Sequence, residues 1–270
     1  MSRDDAPREW AKAQHDLGNA LFRLDERSRG ANPTWLEEAV AALRAAVAAY
    51  DRAGASYQWA KAQYDFANAL LALGSPRHDS MMIEEAVRAC HAALEEFQRG
   101  APIECAETRR LLGHALVALG AHEVGVARFA EAVAAFRSAL REHARGPLTE
   151  WTRTRHGLCN ALLWLGTREG DTDRIEEAIA TVEPVLVDKV RERVPAQWAL
   201  SAGLQGVALM ELAERRRDIA SVRSAVAKLG MALAQDGGQD ARINAYHETQ
   251  LARARALLDR LETAGRGKYR

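Results

Sequence analysis

Apolar and polar positions along this chain repeat in five copies. Tryptophan opens four of them, at Trp10, Trp59, Trp151 and Trp198, and Cys105 holds the same slot in the third, with intervals of 49, 46, 46 and 47 residues. Seven residues after each slot come Leu17-Gly18-Asn19-Ala20-Leu21, Phe66-Ala67-Asn68-Ala69-Leu70, Leu112-Gly113-His114-Ala115-Leu116, Leu158-Cys159-Asn160-Ala161-Leu162 and Gln205-Gly206-Val207-Ala208-Leu209. Three residues further on stands another leucine: Leu24, Leu73, Leu119, Leu165 or Leu212. Positions 7, 11 and 14 after the slot share one helical face, so each copy is predicted to begin with an amphipathic helix of about four turns.

A second signature follows in every copy: Glu37-Glu38-Ala39-Val40, Glu84-Glu85-Ala86-Val87, Ala130-Glu131-Ala132-Val133, Glu176-Glu177-Ala178-Ile179 and Arg223-Ser224-Ala225-Val226. Seven residues beyond each anchoring alanine lies Ala46, Ala93, Ala139, Val185 or Ala232, which gives a second helix with an edge of small residues. The recurring glutamates fall in its first turn, where carboxylates suit the positive end of the helix dipole, so they read as structural rather than as catalytic pairs.

Breaks are expected at Asp25 to Thr34, Gly74 to Ser80, Gly120 to Gly125, Gly166 to Asp171 and Ala213 to Asp218. Between copies they are expected at Gly54, Gly100-Ala101-Pro102, Gly146-Pro147 and Val194-Pro195. Pro184 lies inside the second helix of copy four and should kink it. After the fifth copy, residues 241–263 place Tyr246, Leu251, Leu257, Leu258 and Leu261 on one side, with Arg253, Arg255, Asp259 and Arg260 largely elsewhere. That is the amphipathic cap a stack of repeats needs at an open end.

The expected fold is therefore all-α: an α-solenoid of five antiparallel helix pairs plus a C-terminal capping helix. It is read as a single domain over 1–264, with repeats at about 7–54, 55–101, 102–146, 147–194 and 195–238 and a flexible tail at 265–270.

Composition supports this. Alanine makes up roughly a fifth of the chain, which favours helix over sheet. The charges balance, 37 Lys plus Arg against 37 Asp plus Glu, so the bulk field that a dedicated nucleic-acid or polybasic membrane binder needs is missing. No apolar signal-peptide core opens the sequence, and its longest apolar stretch, Ala39 to Tyr50, is broken by Arg44 and too short to span a bilayer. Three cysteines without CxxC spacing suit a reducing cytoplasm.

The pattern Trp10-Ala11, Leu17-Gly18, Leu21, then Ala39, Leu43 and Ala46 resembles the tetratricopeptide repeat, whose two helices carry a large apolar residue, a Leu-Gly pair and spaced alanines in this order. The resemblance covers residues 7 to 235. The period exceeds the usual ~34 residues, as in longer tetratricopeptide-like repeats of bacterial proteins. Gly18, Gly113 and Gly206 keep the expected glycine, Ala67 and Cys159 replace it with small residues, and copy five loses the leucine of the pair to Gln205.

Candidate chemistry is sparse. GxSxG, GxxxxGK[ST], HExxH and HxxxH are absent, so no catalytic residue, metal site or cofactor is assigned. The cysteines take packing slots: Cys159 the small one, Cys90 the apolar one held elsewhere by Leu43, Phe136 and Leu229, and Cys105 the tryptophan one.

The sharper signal lies at offsets 2, 5 and 9 of the first helices, which share one face. Copy one carries Lys12, His15 and Asn19; copy two Lys61, Tyr64 and Asn68; copy three Glu107, Arg110 and His114; copy four Arg153, His156 and Asn160; copy five the apolar set Leu200, Gly203 and Val207. By resemblance, first helices line the concave groove of tetratricopeptide repeats, where Lys, Arg and Asn hold the carboxylates and backbone of an extended peptide. Four cations against Glu107 then imply a protein or acidic-peptide partner, and a non-enzymatic scaffold or adaptor. The plainer reading of the same face is a solvated helix surface, or pairing with Asp16, Asp65 and Glu107 between repeats. Two other readings stand beside the scaffold. One is a self-associating homodimer through Leu200, Val207 and Met210 or through Trp35 and Trp164. The other is a regulator that senses a small molecule or signalling peptide.

Overall fold

The computed structural model describes residues 7–28, 32, 34–50, 56–144, 146–235 and 241–267. Among them are twelve α-helices, one 3-10 turn and no strand. The chain divides into two compact units, Met1–Val124 and Gly125–Arg270. Gly54 and much of the first inter-helix break lie outside the described residues.

The first unit holds α1 (Pro7–Ser28), α2 (Thr34–Ala49), α3 (Ser56–Arg77), α4 (Ser80–Phe97) and α5 (Pro102–His122). Each helix packs on the next, while α1, α3 and α5 also touch in turn, so the first helices of the copies form one layer and α2 and α4 the other. The leucine stripe is buried between the layers: Phe66, Leu70 and Leu73 in α3 and Leu112, Leu116 and Leu119 in α5 are core residues. Gly18 is there for close approach, because a Cβ would sit against the Leu43 side chain and the Ala39 carbonyl of α2.

The second unit holds α6 (Ala127–His143), α7 (Leu148–Glu169), α8 (Thr172–Val182), α9 (Asp188–Arg193), α10 (Pro195–Arg216), α11 (Ile219–Gln235) and α12 (Ala241–Gly267). Here α7, α10 and α12 adjoin one another, with α6, α8 and α11 packed on them. Phe129, Phe136, Leu162, Ile175, Val182 and Leu229 are fully enclosed. Both units therefore show the stacked helix pairs of an all-α solenoid.

Three expectations need correction. Gly74, Gly120 and Gly166 do not break helices: α3, α5 and α7 run through them to Arg77, His122 and Glu169. Gly74 and Gly166 instead let the following helix approach, since a Cβ would lie 2.9 Å from Met82 Cβ or 2.8 Å from Arg174 Cβ. In copies two, four and five the break falls four residues after Gly74, Gly166 and Ala213, at left-handed His78, Gly170 and Arg217, each followed by an aspartate, Asp79, Asp171 or Asp218, whose carboxylate accepts from the first backbone N–H groups of the next helix. Pro184 ends its helix outright instead of kinking it. With no N–H to donate it sits in a 3-10 turn, Glu183–Val185, and a separate α9 follows. The cap helix continues to Gly267, into the segment expected to be a flexible tail.

The glutamates that open the second helices have partners. Glu37 binds Arg77 at 2.7 Å, Glu85 binds Arg44 at 2.9 Å, and Arg137–Glu177 and Arg216–Glu176 join α6 to α8 and α10 to α8. Exposed pairs of this kind contribute at most about 1 kcal/mol each, so they adjust register between helices more than they hold the fold.

Candidate functional site

The layer made by α1, α3 and α5 carries the first three polar triplets within one unit. Lys12 and Lys61 are exposed, while Tyr64, Asn68, Arg110, His114 and Glu107 are half-buried. His15 is different. It is buried, and its Nε2 lies 2.6 Å from Asp65 Oδ2, which also accepts from Asn19 Nδ2 at 3.0 Å. One carboxylate on α3 thus holds two candidate ligand groups of α1. Of that triplet, Lys12 is the group presented to solvent.

Asp65 was not among the candidate site residues. The plainer reading of this face does name it, as a pairing partner between repeats, and the His15 and Asn19 contacts match that reading at Asp65; spacing along one helix does not say which side chains of the neighbouring helix it meets. Replacing Asp65 with alanine leaves the buried imidazole and amide without their acceptor, and is expected to cost about 1–2 kcal/mol of unfolding free energy. Asp65→Asn, which keeps one acceptor oxygen, should recover part of it. Urea unfolding of the two variants beside the parent chain measures the difference.

At the other end of the row, Tyr57 donates from its hydroxyl to Glu104 Oε1 at 2.6 Å. That bond lowers the Glu104 carboxyl below its ordinary range, with a smaller contribution from Lys61, and raises the Tyr57 phenol. Lys61 therefore stands in a field that already contains one carboxylate.

In the second unit, the face of α7 carries Arg153, His156 and Asn160. Arg153 is exposed and donates from Nη1 to Glu150 Oε1, one turn earlier, at 3.2 Å. The pair leaves the guanidinium in solvent. Asn160 is half-buried. His156 packs inward, and burial, with the neighbouring His247 imidazole as a second cause, brings its pKa down to about 4. It is a neutral packing group at pH 7 and not a cation offered to a ligand.

The fifth copy explains its own apolar character. Gly203 of α10 faces His247 of α12 so closely that a Cβ would overlap the imidazole ring. Val207 and Met210 are buried at 8% and 2% exposure. The alternative reading of self-association through Leu200, Val207 and Met210 therefore loses two of its three residues to the core. Trp164, the other exposed candidate, stacks on Phe129 with 5.6 Å between centroids, and Arg168 lies over both rings. Trp35 is half-buried.

A cleft of about 530 Å³ in the second unit is lined in part by His143, Leu148, Trp151, Val190 and Arg193. Its His143 Nδ1 is bonded to Thr154 Oγ1 at 2.8 Å. No group of three or more His, Cys, Asp or Glu placed to hold a metal occurs among the described residues, and no described helix is long and apolar enough to cross a membrane. Cys90, Cys105 and Cys159 are all buried, and burial pushes the Cys90 and Cys159 thiols well above their usual range.

No protein-family model and no curated protein matches the chain. Among solved structures it is similar to a circular tandem repeat protein with novel repeat topology and enhanced subunit contact surfaces. The TM-score is 0.38 at 17% identity, over 99% of this chain and 75% of that one.

Proposed function

We propose that this chain is a non-enzymatic scaffold of the tetratricopeptide type that binds an acidic segment of a partner protein along its first-helix layer. The supporting observation is the arrangement in the first unit. Exposed Lys12 and Lys61 stand on adjoining helices beside half-buried Asn68 and Arg110, while Asp65 holds the intervening His15 and Asn19 in place. Amide groups can pair with a peptide main chain whatever its sequence, and cations select carboxylates. Because the helices hold these groups before the ligand arrives, the ordering cost falls mainly on the peptide. Arg153 and Asn160 hold the equivalent positions on α7 of the second unit, exposed and half-buried respectively.

The test is titration of a fluorescent Asp/Glu-rich peptide, followed by anisotropy. Lys12→Glu with Lys61→Glu should weaken binding at least about tenfold and leave the thermal midpoint unchanged, since both side chains are in solvent. Lys61→Glu with Arg153→Glu reports whether the second unit takes part. Parent-like affinity in both double variants would overturn the proposal.

A further inference from the structure

In four of the five copies the first helix has one face covered by the helix that precedes it: α2 on α3, α4 on α5, α6 on α7 and α8 on α10. Small residues three and ten positions after the tryptophan slot permit that contact, and all are buried: Ala62 and Ala69, Thr108 and Ala115, Thr154 and Ala161, Ser201 and Ala208. Copy one keeps both, as Ala13 and Ala20, yet both are exposed. The leucines beside them are exposed as well, Leu17 at 48% and Leu24 at 44%, where their counterparts Leu112 and Leu119 are at 5% and 2%. Helix α1 thus displays a face built for helix packing that no described helix covers.

The charges beside this face indicate what fits it. At a helical period, Glu9, Asp16, Arg23 and Arg27 fall along one flank, acids in the N-terminal half and bases in the C-terminal half. All four are exposed, and none makes an ion pair among the described residues. Antiparallel pairing of two such helices about a point between Gly18 and Asn19 sets Leu17 against Ala20 of the other copy and Leu24 against Ala13. It also brings Glu9 within one residue of Arg27 and Asp16 within two residues of Arg23 on the shared flank, offsets that these side chains span. Parallel pairing would set this flank against the opposite flank of the partner helix, so the four charges would not meet. A face that complements itself under a two-fold rotation is the property of an isologous dimer interface.

We infer that α1 is a homodimerisation helix that pairs antiparallel with α1 of a second copy, Leu17 and Leu24 of each filling the alanine gaps of the other. The C-terminal helix α12 is a poorer fit. It covers α10 and α11 and carries Arg253, Arg255, Asp259 and Arg260 among its exposed residues.

Sedimentation equilibrium of the full chain over a concentration series tests this. The parent chain should dimerise. Asp16→Arg alone and Arg23→Asp alone each set like charges opposite one another, and should weaken the dimer about tenfold or more, while the exchange of both should restore it. Leu17→Glu with Leu24→Glu should give a monomer whose circular dichroism and melting match the parent, because both positions are exposed. Under oxidation, Leu17→Cys with Ala20→Cys should cross-link copies through the 17–20 pair, as the antiparallel register requires. A parent chain that stays monomeric throughout overturns the inference. So does a dimer that ignores the charge variants, since that dimer would form elsewhere on the molecule.

Discussion

Phe136→Ala is expected to lower the unfolding free energy by about 3–5 kcal/mol, the usual cost of removing a buried phenylalanine and leaving a cavity. Phe136 is fully enclosed at the junction of α6 and α7. Its ring lies against Gly157 so tightly that a Cβ there would overlap two of the ring carbons. The same contact predicts a coupled pair. Gly157→Ala alone forces the ring into neighbours that cannot yield, costing about 1–3 kcal/mol despite alanine's better helix propensity. Combined with Phe136→Leu, which shortens the opposing side chain, it should be less destabilising than the sum of the two single changes. Denaturant unfolding of the four proteins closes the double-mutant cycle, and strictly additive effects would refute the contact.

A second large effect is expected on acidification. His156 titrates in the folded chain at about 4, lowered by burial and then by His247, whereas an unfolded histidine takes its proton near 6.5. The folded state thus favours the neutral ring. Its contribution is complete above the unfolded value and is lost as the pH falls from about 6.5 to about 4, because over that window the unfolded chain binds a proton that the folded chain refuses. Part of the residue's surface remains accessible, so we place the loss at about 2–3 kcal/mol, the lower part of what linkage allows. His156→Leu should flatten this part of the stability profile. Urea unfolding at pH 7, 5.5 and 4 compares the two proteins, and equal slopes would show that the proton is taken up elsewhere.

The helix pairs, their register and the cap were legible because they depend on local periodicity. A leucine at every third or fourth position marks a buried face wherever the chain goes next, and repetition in five copies separates that mark from coincidence. Small residues were legible as close contacts at Gly18 for the same reason. Where the reading failed, a residue's role depended on a neighbour that spacing does not name. Glycine ends helices as readily as it admits a neighbour, and only the nearness of Met82 and Arg174 assigns Gly74 and Gly166 to the second use. Pro184 is expected to bend a helix, and instead the helix ends at Val182 with Pro184 inside the 3-10 turn that follows.

The candidate face divides in the same way. That Lys12, Lys61, Arg110 and Arg153 each fall on the same face of their own helix follows from 3.6 residues per turn. That Asp65 occupies His15 and Asn19, that His156 is packed away, and that Gly203 belongs to a contact with the cap helix were decided by the angles and distances at which helices meet.

The amino-acid sequence by itself determined that this protein is a row of helix pairs, and which face of each helix is buried, because a helical period projects linear spacing onto a cylinder. The tertiary structure alone decided which polar groups are held by one another and which stand in solvent, and that no described helix covers one packing face of α1. Those outcomes depend on contacts between residues about fifty apart in the chain, whose energies come from desolvation and hydrogen-bond geometry that no one-dimensional pattern records.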